Sequence, residues 1–165
     1  MQAEAIRIPI VQRKTTWESY EEEFKKALSY FKKEGIQAGV FGDIDLQEHR
    51  EWVERVCKDT DIKPVLPLWG EEREKLLEEF IGAGFKAIVV AAIEDLGEEW
   101  LGRQIDNNFI NDLKKLKVDL CGERGEYHTF VYNGPIFKKP IEVITGKKIL
   151  KGRYWFLEVE DIVSY

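Results

Sequence analysis

Residues 84–93 read Gly84-Phe85-Lys86-Ala87-Ile88-Val89-Val90-Ala91-Ala92-Ile93, and from Phe85 onward only Lys86 interrupts an apolar run. A short apolar stretch rich in β-branched residues suits a strand buried on both faces, as strands of parallel sheets are. Just upstream, Glu71–Ile81 has the apolar spacing of an amphipathic helix, and Val65–Leu68 suggests another strand. Downstream, a helix is expected from Asp106 to Leu116. Strand and helix alternate, which predicts an α/β fold with a mostly parallel sheet.

The pattern continues toward the N-terminus. Ala38–Phe41 reads as a buried strand, and Asp45 with Glu48 can open a helix carrying Leu46, Val53, Val56 and Cys57. Before it, Trp17, Tyr20, Phe24, Ala27, Leu28 and Phe31 recur at helical intervals, a core stripe on a helix ended by Gly35. Thr15 and Glu18 have capping-box spacing, and Ile6–Val11 is expected to be a strand. Beyond Leu120 the character changes to strand-like runs at Tyr127–Tyr132, Ile141–Ile144 and Tyr154–Val159, with a turn at Thr145-Gly146. Two parts follow from this: residues 1–120 as an α/β domain and 121–165 as a β-rich C-terminal lobe packed against it.

Composition bounds the function. The 165 residues, 44% hydrophobic and 12% aromatic, suffice for one sizeable core. With 25 basic against 31 acidic residues and a net charge of −6, no generally basic surface is available for nucleic acid. Lys138-Lys139 and Lys147-Lys148 are candidates for a local basic patch, although lysine pairs flanking strands more often protect edges. Cys57 and Cys121 lack metal or redox spacing and are read as packing residues, so no bound metal is expected. The chain shows neither a signal-peptide pattern nor a run of ~18 to 20 apolar residues, so a soluble, cytoplasmic protein that does not engage membranes is expected.

The most chemical segment is Cys121-Gly122-Glu123-Arg124-Gly125-Glu126-Tyr127-His128-Thr129-Phe130. Glycines permit a sharp turn and close backbone approach, while Glu123 and Glu126 suit an amine, a hydroxyl or a hydrated cation; an acidic hairpin turn is the plainer alternative. Gly42-Asp43-Ile44 follows a strand, where open α/β sheets bind ligands, although Asp45 as the cap of an ordinary connection would look the same. His49 reads as a packing histidine or as a proton carrier or ligand. Trp69, at a strand end, either covers a ligand or plugs the sheet, and Arg103 after Gly102 either clamps an anion or makes a surface ion pair.

Taken in series, Gly42-Asp43-Ile44, His49-Arg50, Val53-Glu54, Val56-Cys57, Pro67-Leu68-Trp69, Gly84 to Val90, Leu101-Gly102-Arg103, the glutamate decapeptide and Gly134-Pro135-Ile136-Phe137 resemble the diphthine-ammonia ligase family of ATP pyrophosphatases, in the family's order. With a weaker match at Gln2 to Ile6, the resemblance covers roughly two thirds of the chain. It implies a HUP or Rossmann-like fold of the adenine-nucleotide α-hydrolase kind, use of ATP with Mg, and release of AMP and pyrophosphate as a carboxylate is adenylated and attacked by ammonia. By that resemblance Gly42, Asp43 and Ile44 contact the nucleotide. Read from residue chemistry, the catalytic candidates are Glu126 first and Glu123 as its alternative, either of which could orient the trimethylammonium of diphthine or deprotonate ammonium. Trp69, Gly102, Arg103, Gly125, His128 and Thr129 line the acceptor.

The family opens with a strand, a Ser-Gly-Gly-Lys-Asp-Ser loop and a helix, and nothing in this chain corresponds. The fold is therefore expected to be truncated, and ATP cleavage by this chain alone is not expected. Either the chain is part of a longer ligase or it is a relative without that loop. Three functions stay open: the ligase, a non-catalytic nucleotide or metabolite binder, and an interaction subunit. A homo-oligomer, or a partner that supplies the missing segment, would complete the sheet.

Overall fold

The computed structural model describes residues 1–160, so the last five residues of the expected C-terminal lobe lie outside it. The chain opens with a single helical turn, α1 (Gln2–Ile6), ended by Arg7 in the left-handed conformation. The strand expected over Ile6–Val11 does not form. Gln2 donates to the carbonyl of Val131 and the carbonyl of Ala5 accepts from Lys138, so tertiary contacts fix this segment as a docked turn.

Contacts divide the chain into two compact units, Ile10–Glu71 and Met1–Pro9 joined with the chain from Glu72 onward. In the first, α2 (Tyr20–Lys33), β1 (Ala38–Val40), α3 (Gln47–Asp59) and β2 (Lys63–Val65) form a β-α-β unit with a preceding helix. The strands are parallel, with Gly39 opposite Pro64. Lys63 N–H donates to Gln37 and the carbonyl of Val65 accepts from Phe41, so these flanking residues of β2 face β1. Leu28, Val53, Val56, Cys57 and Ile62 make the core, with Phe24, Phe41, Trp52 and Leu66 against it.

Details of α2 differ from the expected ones. It starts at Tyr20 without a side-chain cap, and the hydroxyls of Thr15, Thr16 and Ser19 bond among themselves instead of forming the capping box. Trp17 precedes the helix and is 93% exposed, so the core stripe begins later, at Phe24 and Leu28. Glu21 links the two helices, accepting two hydrogen bonds from Arg55 (2.6 and 2.7 Å) and one from the Trp52 indole (3.0 Å). Strand β2 lies slightly earlier than Val65–Leu68, because Pro67 has no N–H and the chain turns there, Trp69 donating to Leu66.

The second unit contains α4 (Arg73–Gly82), β3 (Lys86–Ile93), α5 (Asn107–Leu116), β4 (Tyr127–Asn133), β5 (Ile144–Lys151) and β6 (Tyr154–Glu160). Its sheet has the order β4-β3-β6-β5 and every pairing in it is antiparallel. Strand β3 is buried on both faces as its apolar run predicts. Burial does not fix the direction of the neighbours, however, and among the described residues parallel pairing is confined to β1 and β2. Beside β6, the free edge of β3 is taken by residues 102–105: Gly102 donates to Val89, Val89 to Arg103 and Ile105 to Ala87. The fold is α/β, a truncated Rossmann-like arrangement with a small parallel sheet and a four-stranded antiparallel one.

The division expected at Leu120 and the observed one differ for the same reason. Since β3 pairs with β4 and β6, residues 72–120 share a core with the strands that follow. Phe109 and Leu113 of α5 pack with Ile88, Val89, Tyr127 and Leu157. Asp106 caps α5 by accepting from Phe109 N–H at 2.8 Å. Thr145-Gly146 lies inside β5, at an irregularity where the Glu158 carboxylate accepts from Lys147 N–H. The hairpin turns instead at Gly152, whose φ is +64°.

Candidate functional site

The glutamate loop joins α5 to β4. Asp119 organises it: one carboxylate oxygen accepts from Cys121 N–H at 2.9 Å, and the other pairs with Arg73 Nε at 2.7 Å. Gly122 donates to the Asp119 carbonyl, Gly125 donates to Gly122, and Glu126 Oε2 accepts from Arg124 N–H at 3.0 Å. Gly122 (φ +68°) and Gly125 (φ +84°) both need the left-handed region, and a Cβ on Gly122 would lie 2.9 Å from the Tyr127 carbonyl oxygen. Glu123 and Glu126 are half-buried, whereas Arg124, His128 and Thr129 are exposed.

Tyr127 anchors the loop from below. Its hydroxyl donates to the Leu120 carbonyl, and its ring meets Phe109 edge-on at 5.3 Å. Burial pushes its phenol far above the ordinary value, with the nearby Cys121, Asp119 and glutamates adding to the effect, so the hydroxyl stays a donor. Phe109 touches Trp100 at 5.4 Å, and the Arg103 guanidinium stacks over Trp100 at 4.2 Å while pairing with Asp112 at 2.7 Å. Leu101-Gly102-Arg103 and the glutamate loop are thus joined through packed rings. The carboxyl of Asp112, held by Lys115 and Arg103, is lowered below its ordinary value.

The Gly42 loop belongs to the other unit. Asp43 Oδ1 lies 3.1 Å from His49 Nδ1, and the buried Ile44 accepts from Gly70 N–H at 2.7 Å. The Arg50 guanidinium sits 4.9 Å over the Trp69 ring and donates to Glu54. Gly42-Asp43-Ile44, His49-Arg50 and Trp69 therefore meet at the carboxyl ends of β1 and β2. A Cβ on Gly42 would touch nothing within 4 Å and its φ is unstrained, so this glycine is required neither for a turn nor for packing.

Sequence reasoning missed Asp119, Arg73 and Tyr154. Asp119 stands two residues before Cys121, a spacing at which an Asp side chain commonly bonds its own backbone. Tyr154 could be found only through sheet register, since its hydroxyl lies 3.2 Å from where a Gly125 Cβ would be.

Residues 72–164 match the diphthamide synthase C-terminal domain, and residues 1–64 match the diphthamide synthase N-terminal domain. The chain belongs to the diphthamide synthase family. It is similar to the diphthine–ammonia ligase of Rattus norvegicus (32% identical over 167 residues, 90% of this chain and 62% of the relative) and to that of Homo sapiens (33% over 147 residues, 80% and 55%). The relative from Schizosaccharomyces pombe is 37% identical over 138 residues, covering 78% of this chain and 22% of its own length. The chain thus spans less than two thirds of each of these relatives.

The break between the two diphthamide synthase matches falls close to the division near Glu71. The Gly42 loop lies in the N-terminal match and the glutamate loop in the C-terminal one. Among the described residues no three His, Cys, Asp or Glu side chains are grouped to hold a metal ion, and no glycine-rich loop ends in Gly-Lys-Ser/Thr to grip a triphosphate. The Gly42 loop and Trp69 present backbone groups and an aromatic face at the carboxyl ends of β1 and β2. No described helix is long and apolar enough to cross a membrane.

Proposed function

We propose that this chain carries the acceptor-binding loop and the adenosine-contacting loop of an ATP-dependent ligase that joins ammonia to the carboxylate of diphthine. The glutamate loop is the observation that supports this reading. Its two half-buried carboxylates are held on a turn braced by Asp119, by Arg73 acting through Asp119, and by Tyr127. Carboxylates fixed in a partly desolvated turn suit the handling of an ammonium ion that must lose a proton. Cys57 and Cys121 are not joined in a disulfide, which suits a reducing cytoplasm.

In this reaction an oxygen of the acceptor carboxylate attacks the α-phosphorus of ATP, and pyrophosphate leaves. Ammonium gives a proton to Glu123 or Glu126, and the resulting ammonia attacks the acyl carbon. The AMP oxygen departs with its bonding pair, and the amide nitrogen releases a second proton to solvent. Adenylation is needed because a carboxylate oxygen is otherwise a poor leaving group. This chain's contribution is to orient the acceptor and take the first proton.

The phosphate end of ATP needs residues beyond the Gly42 loop. A partner supplying them has a place to join, which favours the second reading, an interaction subunit completed by another chain. Among the described residues β1 pairs only with β2, and Val40 at its end is 74% exposed. Titration with AMP and with Mg-ATP tests the division of labour. Equal affinities are expected; ATP binding 100-fold tighter than AMP would place the phosphate grip in this chain after all. In an amide-formation assay completed with a phosphate-loop segment, Glu123→Gln with Glu126→Gln is expected to slow turnover about 100-fold, and an unchanged rate would overturn the proposal.

A further inference from the structure

Strand β5 is the outer strand of the antiparallel sheet, and every one of its residues is exposed. Lys147-Lys148, the pair that reads in sequence as a basic patch or an edge guard, lies at its middle. On the sheet's other margin, the carbonyls of Val131 and Tyr132 in β4 accept from Gln2 and Ile141, so that side is partly covered. Among the described residues no hydrogen bond from outside the hairpin reaches the backbone of Lys148, Ile149, Leu150 or Lys151. The hairpin turns through Gly152-Arg153, between the paired Lys151 and Tyr154. The pair that closes such a turn is hydrogen-bonded, and bonded pairs alternate along an antiparallel ladder. Lys151 and Ile149 therefore turn their amide groups toward β6, while Leu150 and Lys148 turn theirs outward. Beyond Lys148 the ladder slips, and the Glu158 carboxylate accepts from Lys147 N–H at 3.1 Å. The regular open edge is thus Lys148-Ile149-Leu150-Lys151. From Lys147 to Leu157 the hairpin carries four cations and no carboxylate, a basic margin on a chain of net charge −6.

We infer that this edge docks an extended acidic segment of a partner protein, which adds a strand beside β5 and reads acid, aliphatic, aliphatic, acid opposite Lys148-Ile149-Leu150-Lys151. The outward amide groups of Lys148 and Leu150 supply the pairing, and the side chains choose the partner. Directly opposed residues interact across strands, so carboxylates are favoured against the two lysines and aliphatic residues between them. Ile149, Leu150 and Phe156, which is opposite Ile149, are 43%, 42% and 42% exposed, apolar area that an aliphatic partner covers. A second copy of β5 is disfavoured, because its lysines would stand against these. The irregularity at Lys147 ends the flat edge, which confines pairing to one short segment and guards against continuous edge-to-edge association. Neither candidate loop contributes a residue, so the edge lies beyond the ligase reading.

The test is a titration of the folded chain, followed by its amide resonances and their exchange with solvent, with two capped peptides: Glu-Val-Val-Glu flanked by threonines, and the same peptide with lysine in place of glutamate. The acidic peptide is expected to shift the amides of Lys148 and Leu150 and to slow their exchange, while those of Ile149 and Lys151 are already bonded to β6. The basic peptide is expected to bind about tenfold more weakly. Leu150→Pro deletes an outward N–H that the sheet does not use, so it is expected to fold and to lose binding. Lys148→Glu with Lys151→Glu is expected to reverse the preference between the two peptides, a result that misfolding cannot produce. Equal binding of both peptides, full binding by a folded Leu150→Pro variant, or no binding at millimolar peptide would overturn the inference. A dimer formed through the same amides without peptide would overturn it in favour of a second copy. Tighter binding of a single-stranded oligonucleotide than of the acidic peptide would overturn it in favour of phosphate recognition.

Discussion

A Cβ on Gly122 would lie 2.9 Å from the carbonyl oxygen of Tyr127 and 3.1 Å from its ring. The contact is with backbone and a buried ring, so neither neighbour can yield. With φ at +68°, Gly122→Ala is expected to cost about 2 kcal/mol or more, read as a fall in the urea midpoint. Gly125→Ala faces only the Tyr154 hydroxyl at 3.2 Å and should cost about 1 kcal/mol. Equal losses at the two sites would contradict this ranking.

Tyr127 tests whether the loop is held from below. Tyr127→Phe leaves the Leu120 carbonyl without its donor and is expected to destabilise the chain by about 1–3 kcal/mol. Because burial raises its phenol far above the ordinary range, ultraviolet titration should show one tyrosine that does not ionise until the chain unfolds in alkali. Ionisation of Tyr127 at the ordinary phenol value of 10.0 would mean that the ring is not packed on Phe109.

Glu21 gives a pH dependence of known sign. Arg55 first, and then Lys25, hold its carboxyl well below the ordinary value of 4.5. A group whose folded value is depressed stabilises the fold above its unfolded value and loses that contribution as pH falls through the folded one. The stability of the wild type is therefore expected to decline between pH about 5 and about 2 more steeply than that of Glu21→Gln. Parallel urea midpoints for the two proteins across that window would show that the link between α2 and α3 carries no stability.

Arg103→Lys separates a packed guanidinium from a point charge. Lysine can still reach Asp112, but it cannot lie flat on Trp100, where the guanidinium sits at 4.2 Å. A loss of about 1 kcal/mol with altered tryptophan fluorescence is expected. Unchanged fluorescence would show that the stacking does not persist in solution.

Much of this architecture is readable in the residues themselves. The run at Phe85–Ile93, the periodicity of α3 to α5 and the glycines around Glu123 each report a local requirement, which is burial on both faces, one apolar stripe or positive φ. Strand direction is not local. Nothing within β3 says that the segment after Trp100 returns along its edge, and so the parallel expectation extended too far. Ile6–Val11 failed for a related reason: Gln2 and Ala5, just before it, are tied to Val131 and Lys138, which are remote in sequence. In the candidate site the carboxylates were legible as chemistry. Asp119, Arg73 and Tyr154 were not, because their roles exist only once α4, β6 and the loop are neighbours.

Pro64 gives the small parallel sheet a direction of growth. Lys63 and Val65 on either side of it turn their hydrogen-bonding groups toward β1, so the donor that Pro64 lacks belongs to the outer margin of β2. That margin is chemically capped, while the opposite one keeps its full complement of amide groups. Assembly is thereby made polar at the level of single atoms: an incoming strand can be accepted on one flank only, and the order of strands in any completed sheet is dictated before the newcomer arrives.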